Sequence, residues 1–179
     1  MKFKSFIVPI CLIIIGCKSN TYYDSKISQL EETSIIDLVP NSQKKGMQWL
    51  IRNMDKADKN LLSTGFLIDN CNYAYEAWDS TPWGSVDDSL FFEYILPFSS
   101  LNERRDNWRQ DFYERFFPIV KNAKSASEAA AILNNNIFEM VGVIYSTKRP
   151  KADQSPYESI EAGLASCTGL SFMLIDACR

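Results

Sequence analysis

The 179-residue chain contains no histidine. This removes every Ser-His, Cys-His and His-metal site that the chain could build alone. Seven glycines are present, none in a GxGxxG or GxxxxGK run, which removes the phosphate-cradling loops. Basic excess is missing as well. Nineteen Lys and Arg stand against 22 Asp and Glu, a net charge of −3, so nothing offsets a phosphate backbone and nucleic acid is not an expected partner. No CxxC pair occurs, which leaves zinc without a ligand set. The chain also lacks an apolar run long enough to span a membrane. The longest N-terminal one, Phe6 to Ile15, contains Pro9 and would extend roughly 15 Å as a helix, about half a bilayer core. What remains is an ordinary globular mixture, 46% hydrophobic and 23% charged. It excludes general disorder and a polytopic membrane protein, and the length suits one domain behind a short leader.

Lys2 and Lys4 precede the apolar run, as in a secretory signal covering residues 1–16. The run ends Ile14-Ile15-Gly16-Cys17, which resembles the bacterial lipobox. The resemblance implies diacylglycerol on Cys17 and cleavage before it. The expected location is the bacterial envelope, on the outer membrane, with lipid on Cys17 as the membrane partner. The alternative is a plain signal peptide in which Cys17 is incidental. Cleavage removes Lys2 and Lys4 and takes the net charge from −3 to −5. Cys71, Cys167 and Cys178 remain, an odd trio without disulfide spacing.

Residues 17–40 read as a polar tether, and residues 41–145 as a mostly helical region. Met47, Leu50, Ile51 and Met54 keep helical spacing, as do Leu61, Leu62, Phe66, Leu67, Cys71, Tyr75 and Trp78. They predict two helices or a bent one. Pro82-Trp83-Gly84 breaks the pattern, with Trp83 packing on the turn or lining a cleft. Over residues 102–117, Trp108, Phe112, Phe116 and Phe117 form an aromatic packing stripe. The interleaved Arg104, Arg105, Arg109, Arg115, Glu103, Asp106, Asp111 and Glu114 read as a solvated, salt-laced helix face. Ser125 and Glu128 form a capping box that opens a helix towards Met140. Val141 to Tyr145 suits a strand or the end of that helix. Residues 146–157 read as a loop, and Asp153 and Glu161 as loop or turn residues.

The chemistry concentrates at the C-terminus. Gly163 permits a turn, Ser166 can cap a helix, and Cys167 opens that helix. Apolar residues lie on nearly every side of it, so it is expected to be buried, with Cys178 in the core. A cysteine in a first helical turn feels the partial positive charge of unpaired amides, which favours the nucleophilic thiolate. The same amides can hold an oxyanion. The competing reading makes Cys167 a small packing residue.

Residues Pro156-Tyr157-Glu158-Ser159-Ile160-Glu161-Ala162-Gly163-Leu164-Ala165-Ser166-Cys167-Thr168-Gly169-Leu170-Ser171, followed by Ile175-Asp176-Ala177-Cys178-Arg179, resemble the nucleophile segment of the transglutaminase-like superfamily. Trp83-Gly84, Leu96-Pro97 and Asn107-Trp108-Arg109 are similar to its Bacteroidetes-type lipoproteins. The resemblance implies an α+β parent fold with a papain-like core that begins over residues 146–179. The present chain would be mostly α-helical and would end within the nucleophile helix. Cys167 would be the nucleophile, acting on amide or peptide bonds through a thioester, by hydrolysis or acyl transfer. Substrates would be proteins, peptides or glycan-linked peptides, and no metal or organic cofactor is needed. The histidine and aspartate partners of such a nucleophile lie on a following sheet and have no counterpart here. Asp176, about 14 Å along the same helix, is no substitute. The chain is therefore expected to be inactive as it stands, with its last helix loosely held for want of that sheet. The alternative is a non-catalytic exported lipoprotein acting as a helical interaction module.

Overall fold

The computed structural model describes residues 23–83 and 87–179. The expected leader, Cys17 and Gly84 lie outside the described residues. The described chain is mostly helical, as the sequence predicts. Its helices are α1 (Glu32–Ile36), α2 (Lys44–Asn53), α3 (Lys56–Leu61), α4 (Thr64–Ser80), α5 (Arg109–Val120), α6 (Ala126–Val141), α7 (Pro156–Ala162) and α8 (Cys167–Cys178). A short turn at Asp88–Leu90 continues into a π-helical turn at Phe91–Ile95. Two short strands, β1 (Ile144–Tyr145) and β2 (Leu164–Ala165), pair in parallel, with Ile144 opposite Leu164 and Tyr145 opposite Ala165.

Local chemistry sets the boundaries. Asp55 caps α3 by accepting from the Asp58 amide at 2.7 Å, and Ser63 caps α4 by accepting from the Phe66 amide at 3.2 Å. These two caps divide the expected long helix pair into three helices. Ser125 caps α6 as expected, but Glu128 reaches the Lys124 amide at 2.7 Å, so the box is displaced by one residue. Gly142 and Gly163 close α6 and α7 at φ +69° and +64°. That left-handed conformation costs a residue with a Cβ roughly 1–2 kcal/mol. Each glycine turns its helix directly into one strand of the parallel pair.

The apolar side chains form two clusters. The first gathers Met47, Leu50 and Ile51 of α2 with Leu67 and Cys71 of α4, and with Phe91 and Leu96. The second gathers Trp108, Phe112 and Phe116 with Leu133 and Ile137 of α6 and Met173 of α8. Helix α5 stands between α4 and α6 and joins the two halves.

Three expectations need correction. The tether reading fails from Ile27 onward, because Ile27, Ile35 and Val39 are buried in the first cluster. The backbone is docked there too: Ile27 N–H donates to Leu62 O at 3.2 Å, and Thr64 N–H donates to Ser25 O at 2.9 Å. Polar average composition hid a few widely spaced anchors. The expected loop over 146–157 already contains the start of α7, which Ser155 and Glu158 open with a reciprocal capping box. The last helix is not loosely held: Phe172 and Met173 are buried, because α5, α6 and α7 cover the face that a sheet was expected to cover.

Ile35 is fully buried. Ile35→Ala is expected to lower stability by about 2–5 kcal/mol, measured by urea unfolding. An unchanged unfolding midpoint would return residues 27–39 to the status of a tether.

Candidate functional site

Cys167 is the first residue of α8 and is exposed. Ser166 fixes the helix start. Its hydroxyl accepts from the Gly169 amide at 3.0 Å and donates to Ala152 O at 2.6 Å, while its carbonyl accepts from Leu170 N–H at 3.0 Å. The amides of Cys167 and Thr168 make no hydrogen bond among the described residues. They stand at the open end of the helix dipole, beside the sulfur. The sequence placed Cys167 and its cap correctly.

The ground beneath this helix start is built from α7 and the preceding loop. Gly169 lets them approach: a Cβ there would lie 3.2 Å from both Ala165 Cβ and Ser159 Oγ. Gln154 is buried and donates to Leu164 O at 2.9 Å and to Glu158 O at 3.3 Å, tying the loop to β2 and α7. Neither Gln154 nor Ser159 stood out in the sequence. Gln154 within a loop was the one signal for it, since a long polar side chain there often serves buried backbone.

The reading of residues 102–117 as a solvated helix face is corrected. The helix begins only at Arg109, and Glu103, Asp106 and Arg109 are buried. Arg105 Nε donates to both carboxylate oxygens of Asp58 at 3.1 Å, and Glu103 accepts from the amides of Ser100 and Leu101. Asp106 takes Arg104 Nε at 2.6 Å and the Tyr157 amide at 2.9 Å, so it holds the first turn of α7. These carboxylates are buried because backbone N–H groups and guanidinium groups replace their water. Asp153 is a loop residue as expected, whereas Glu161 lies in α7 and pairs with Arg104 at 3.2 Å.

Arg109 lies inside the protein. Nε donates to Asn70 Oδ1 at 2.7 Å, Nη1 to the Arg179 backbone oxygen at 3.2 Å, and Nη2 to the carbonyls of Ile95, Leu96 and Pro97. Its Cζ sits 4.5 Å from the centre of the Trp108 ring. Burial pushes its guanidinium down to about 9, so it is still a cation at neutral pH. Near it, Asp176 is buried on α8 and accepts from Arg179 Nη1 at 3.0 Å. Burial raises its carboxyl to about 7, against the downward pull of Arg179 and Arg109, with nearby Glu103 adding to the rise. Cys178 is exposed, not core. Cys71 is buried instead, and desolvation lifts its thiol to about 12, which makes it a packing residue.

Cys167 and the Arg109–Asp176–Arg179 group thus occupy opposite ends of α8, separated by about 14–16 Å of helical rise. No carboxylate stands beside Cys167 in a hydrogen bond or ion pair among the described residues. Those residues also hold no cluster of three or more metal-ligating side chains, and no helix long and apolar enough to cross a membrane. Comparison with family models, with curated proteins and with solved structures finds no match.

An unfolded aspartate releases its proton near 3.9, whereas folded Asp176 holds it to about 7. The folded state therefore binds more protons between those values. The stabilisation from this group is fully present below about 4 and is lost as pH rises through about 7. Asp176→Asn is expected to remove that slope. Urea midpoints of the two proteins should diverge between about pH 4 and pH 7, the wild type falling relative to the variant. Parallel curves would mean that Asp176 titrates normally.

Proposed function

We propose that residues 146–179 open a transglutaminase-like cysteine enzyme core and that Cys167 is its nucleophile. The observation that carries this reading is an exposed thiol at the first position of a capped helix, next to two unpaired backbone amides. The segment 156–171 supports it by its resemblance to the family's nucleophile segment. The Cys167 thiolate attacks the carbon of a carboxamide or peptide carbonyl. A C–S bond forms, and the oxygen becomes an oxyanion facing the helix amides. Its collapse breaks the C–N bond, and the nitrogen leaves as ammonia or an amine after taking a proton. Water then releases an acid from the thioester, or a second amine forms a new amide, and the thiolate returns. The proton acceptor in this scheme is a histidine on a following sheet, since none of the 179 residues is a histidine. The substrate is a protein, peptide or glycan-linked peptide in the bacterial envelope. No metal or organic cofactor takes part.

The nucleotides after codon 179 and a labelling experiment test this. A His-x-Trp-like segment with an aspartate beyond it is expected downstream. Iodoacetamide followed by peptide mass spectrometry is expected to modify Cys167 at least about tenfold faster than Cys178, whose thiol is raised by desolvation, and buried Cys71 last. A stop codon at once, together with equal rates at Cys167 and Cys178, would favour the non-catalytic helical module.

Lipid on Cys17 anchors the chain to the outer membrane in the same proposal. Labelled palmitate is expected on the wild type in the membrane fraction, and on neither the membrane nor the secreted form of Cys17→Ser. An unlabelled, secreted wild type would leave an ordinary signal peptide.

A further inference from the structure

A cavity of about 180 Å³ opens between α4, α5, α6 and α8. It lies at the far end of α8 from Cys167 and belongs to no step of the thioester scheme. Its walls are aromatic, with Trp83, Phe112, Tyr113 and Phe117 among them. Its floor is charged and consists of Arg109, Arg179 and Asp176.

The floor is unbalanced. It holds two guanidinium groups and one carboxylate, and that carboxylate is already bridged to Arg179. Arg109 hydrogen-bonds to no carboxylate side chain. Its partners are the Asn70 amide oxygen and backbone oxygens. Of its five N–H groups, one on Nη1 has no partner among the described residues. Nη2 of Arg179 has none either, because Arg179 spends Nε on Tyr94 O and Nη1 on Asp176. Planar guanidinium groups with spare donors suit a carboxylate, and aromatic walls suit a flat apolar body. A cavity only slightly larger than a benzene-sized void of about 150 Å³ admits one ring.

We propose that this cavity binds a small aromatic carboxylic acid, its ring against the aromatic wall and its carboxylate on Arg179 and Arg109. The high carboxyl of Asp176 favours this, since a half-protonated aspartate leaves the floor more positive near neutrality. A cationic ligand meets two guanidinium groups there, and a neutral one leaves their spare donors unpaired.

The experiment is calorimetric titration of the 179-residue chain with phenylacetate, 2-phenylethanol and 2-phenylethylamine, three probes of one size and different charge. Phenylacetate is expected to bind at least about tenfold more tightly than the alcohol, with no binding of the amine. Arg179→Gln is expected to weaken phenylacetate about tenfold with an unchanged circular dichroism spectrum, while Arg179→Lys weakens it less. Ala177→Leu, which fills the cavity, is expected to abolish binding. Equal or tighter binding of the alcohol or the amine overturns the proposal. So does the absence of binding by all three probes, which would make the cavity a packing void. Because the three-probe series uses the wild type, the result stands even if a variant fails to fold. Neither outcome depends on Cys167, whose alkylation rate is read separately.

Discussion

One buried guanidinium holds the molecule together. Arg109 stands at the first position of α5, on the same stripe as Phe112, Phe116 and Val120, where an apolar residue would be the simpler choice. Taking that cation out of water is expensive. It is offset because the guanidinium carries donors in a rigid fork, and the fold brings oxygens from four directions to meet them. Asn70 comes from α4, the carbonyls of Ile95, Leu96 and Pro97 come from the turn after the π-helical segment, and the backbone oxygen of Arg179 comes from the end of α8. Asn70 itself donates to Leu96 O at 2.9 Å, which closes the network. Elements from both apolar clusters therefore converge on one side chain. A lysine has three donors on a flexible stem and could not satisfy the same set.

That convergence sets the position of Cys167 through a short series of contacts. Arg109 fixes the start of α5 and with it the loop that carries Asp106. Asp106 takes the Tyr157 amide and so places the first turn of α7. Gly163 then ends α7 and turns the chain into β2, and Ser166 caps α8 immediately after it. The sulfur at the start of α8 is consequently held from both ends: by its own cap, and by an arginine that grips the helix twelve residues later. A site that must keep a reacting atom within a fraction of an ångström needs support of this kind.

The sequence was legible where one residue type has one common use. The serine caps at 125 and 166, the glycine stop at 163 and the helical spacing of Met47, Leu50 and Ile51 all stand as read. It was misleading where charge was averaged over a window. Glu103, Asp106 and Arg109 sit among exposed charged residues, and their composition is that of a surface. The discriminating signal was position. Arg109 precedes Phe112 by three residues, and Asp176 continues the Gly169, Phe172, Met173 series by helical steps, so each lies on a buried face. Ile27, Ile35 and Val39 were lost for the opposite reason, as isolated anchors in a polar stretch too short to show a period. Nothing local foretells Gln154, because its partners, Leu164 O and Glu158 O, are brought to it only by the fold.

The parallel strand pair presents a different problem. Strands β1 and β2 are two residues each, far below the length at which a sheet supports itself. Parallel strands are ordinarily covered on both faces. Here Ile144 and Tyr145 are 64% and 60% exposed, with Met140 and Ile175 also exposed. Each large apolar side chain left in water forgoes roughly 1.5–3 kcal/mol of burial. The proposed cysteine enzyme core accounts for this pattern in one step. Its sheet follows the nucleophile helix, and further strands laid beside β1 would cover Ile144 and Tyr145 while lending the pair the length it lacks. The same strands would bring the histidine of the proposed scheme towards the start of α8. The exposed apolar strand and the unaccompanied thiol therefore have one common explanation, and a single stretch of sequence answers for both.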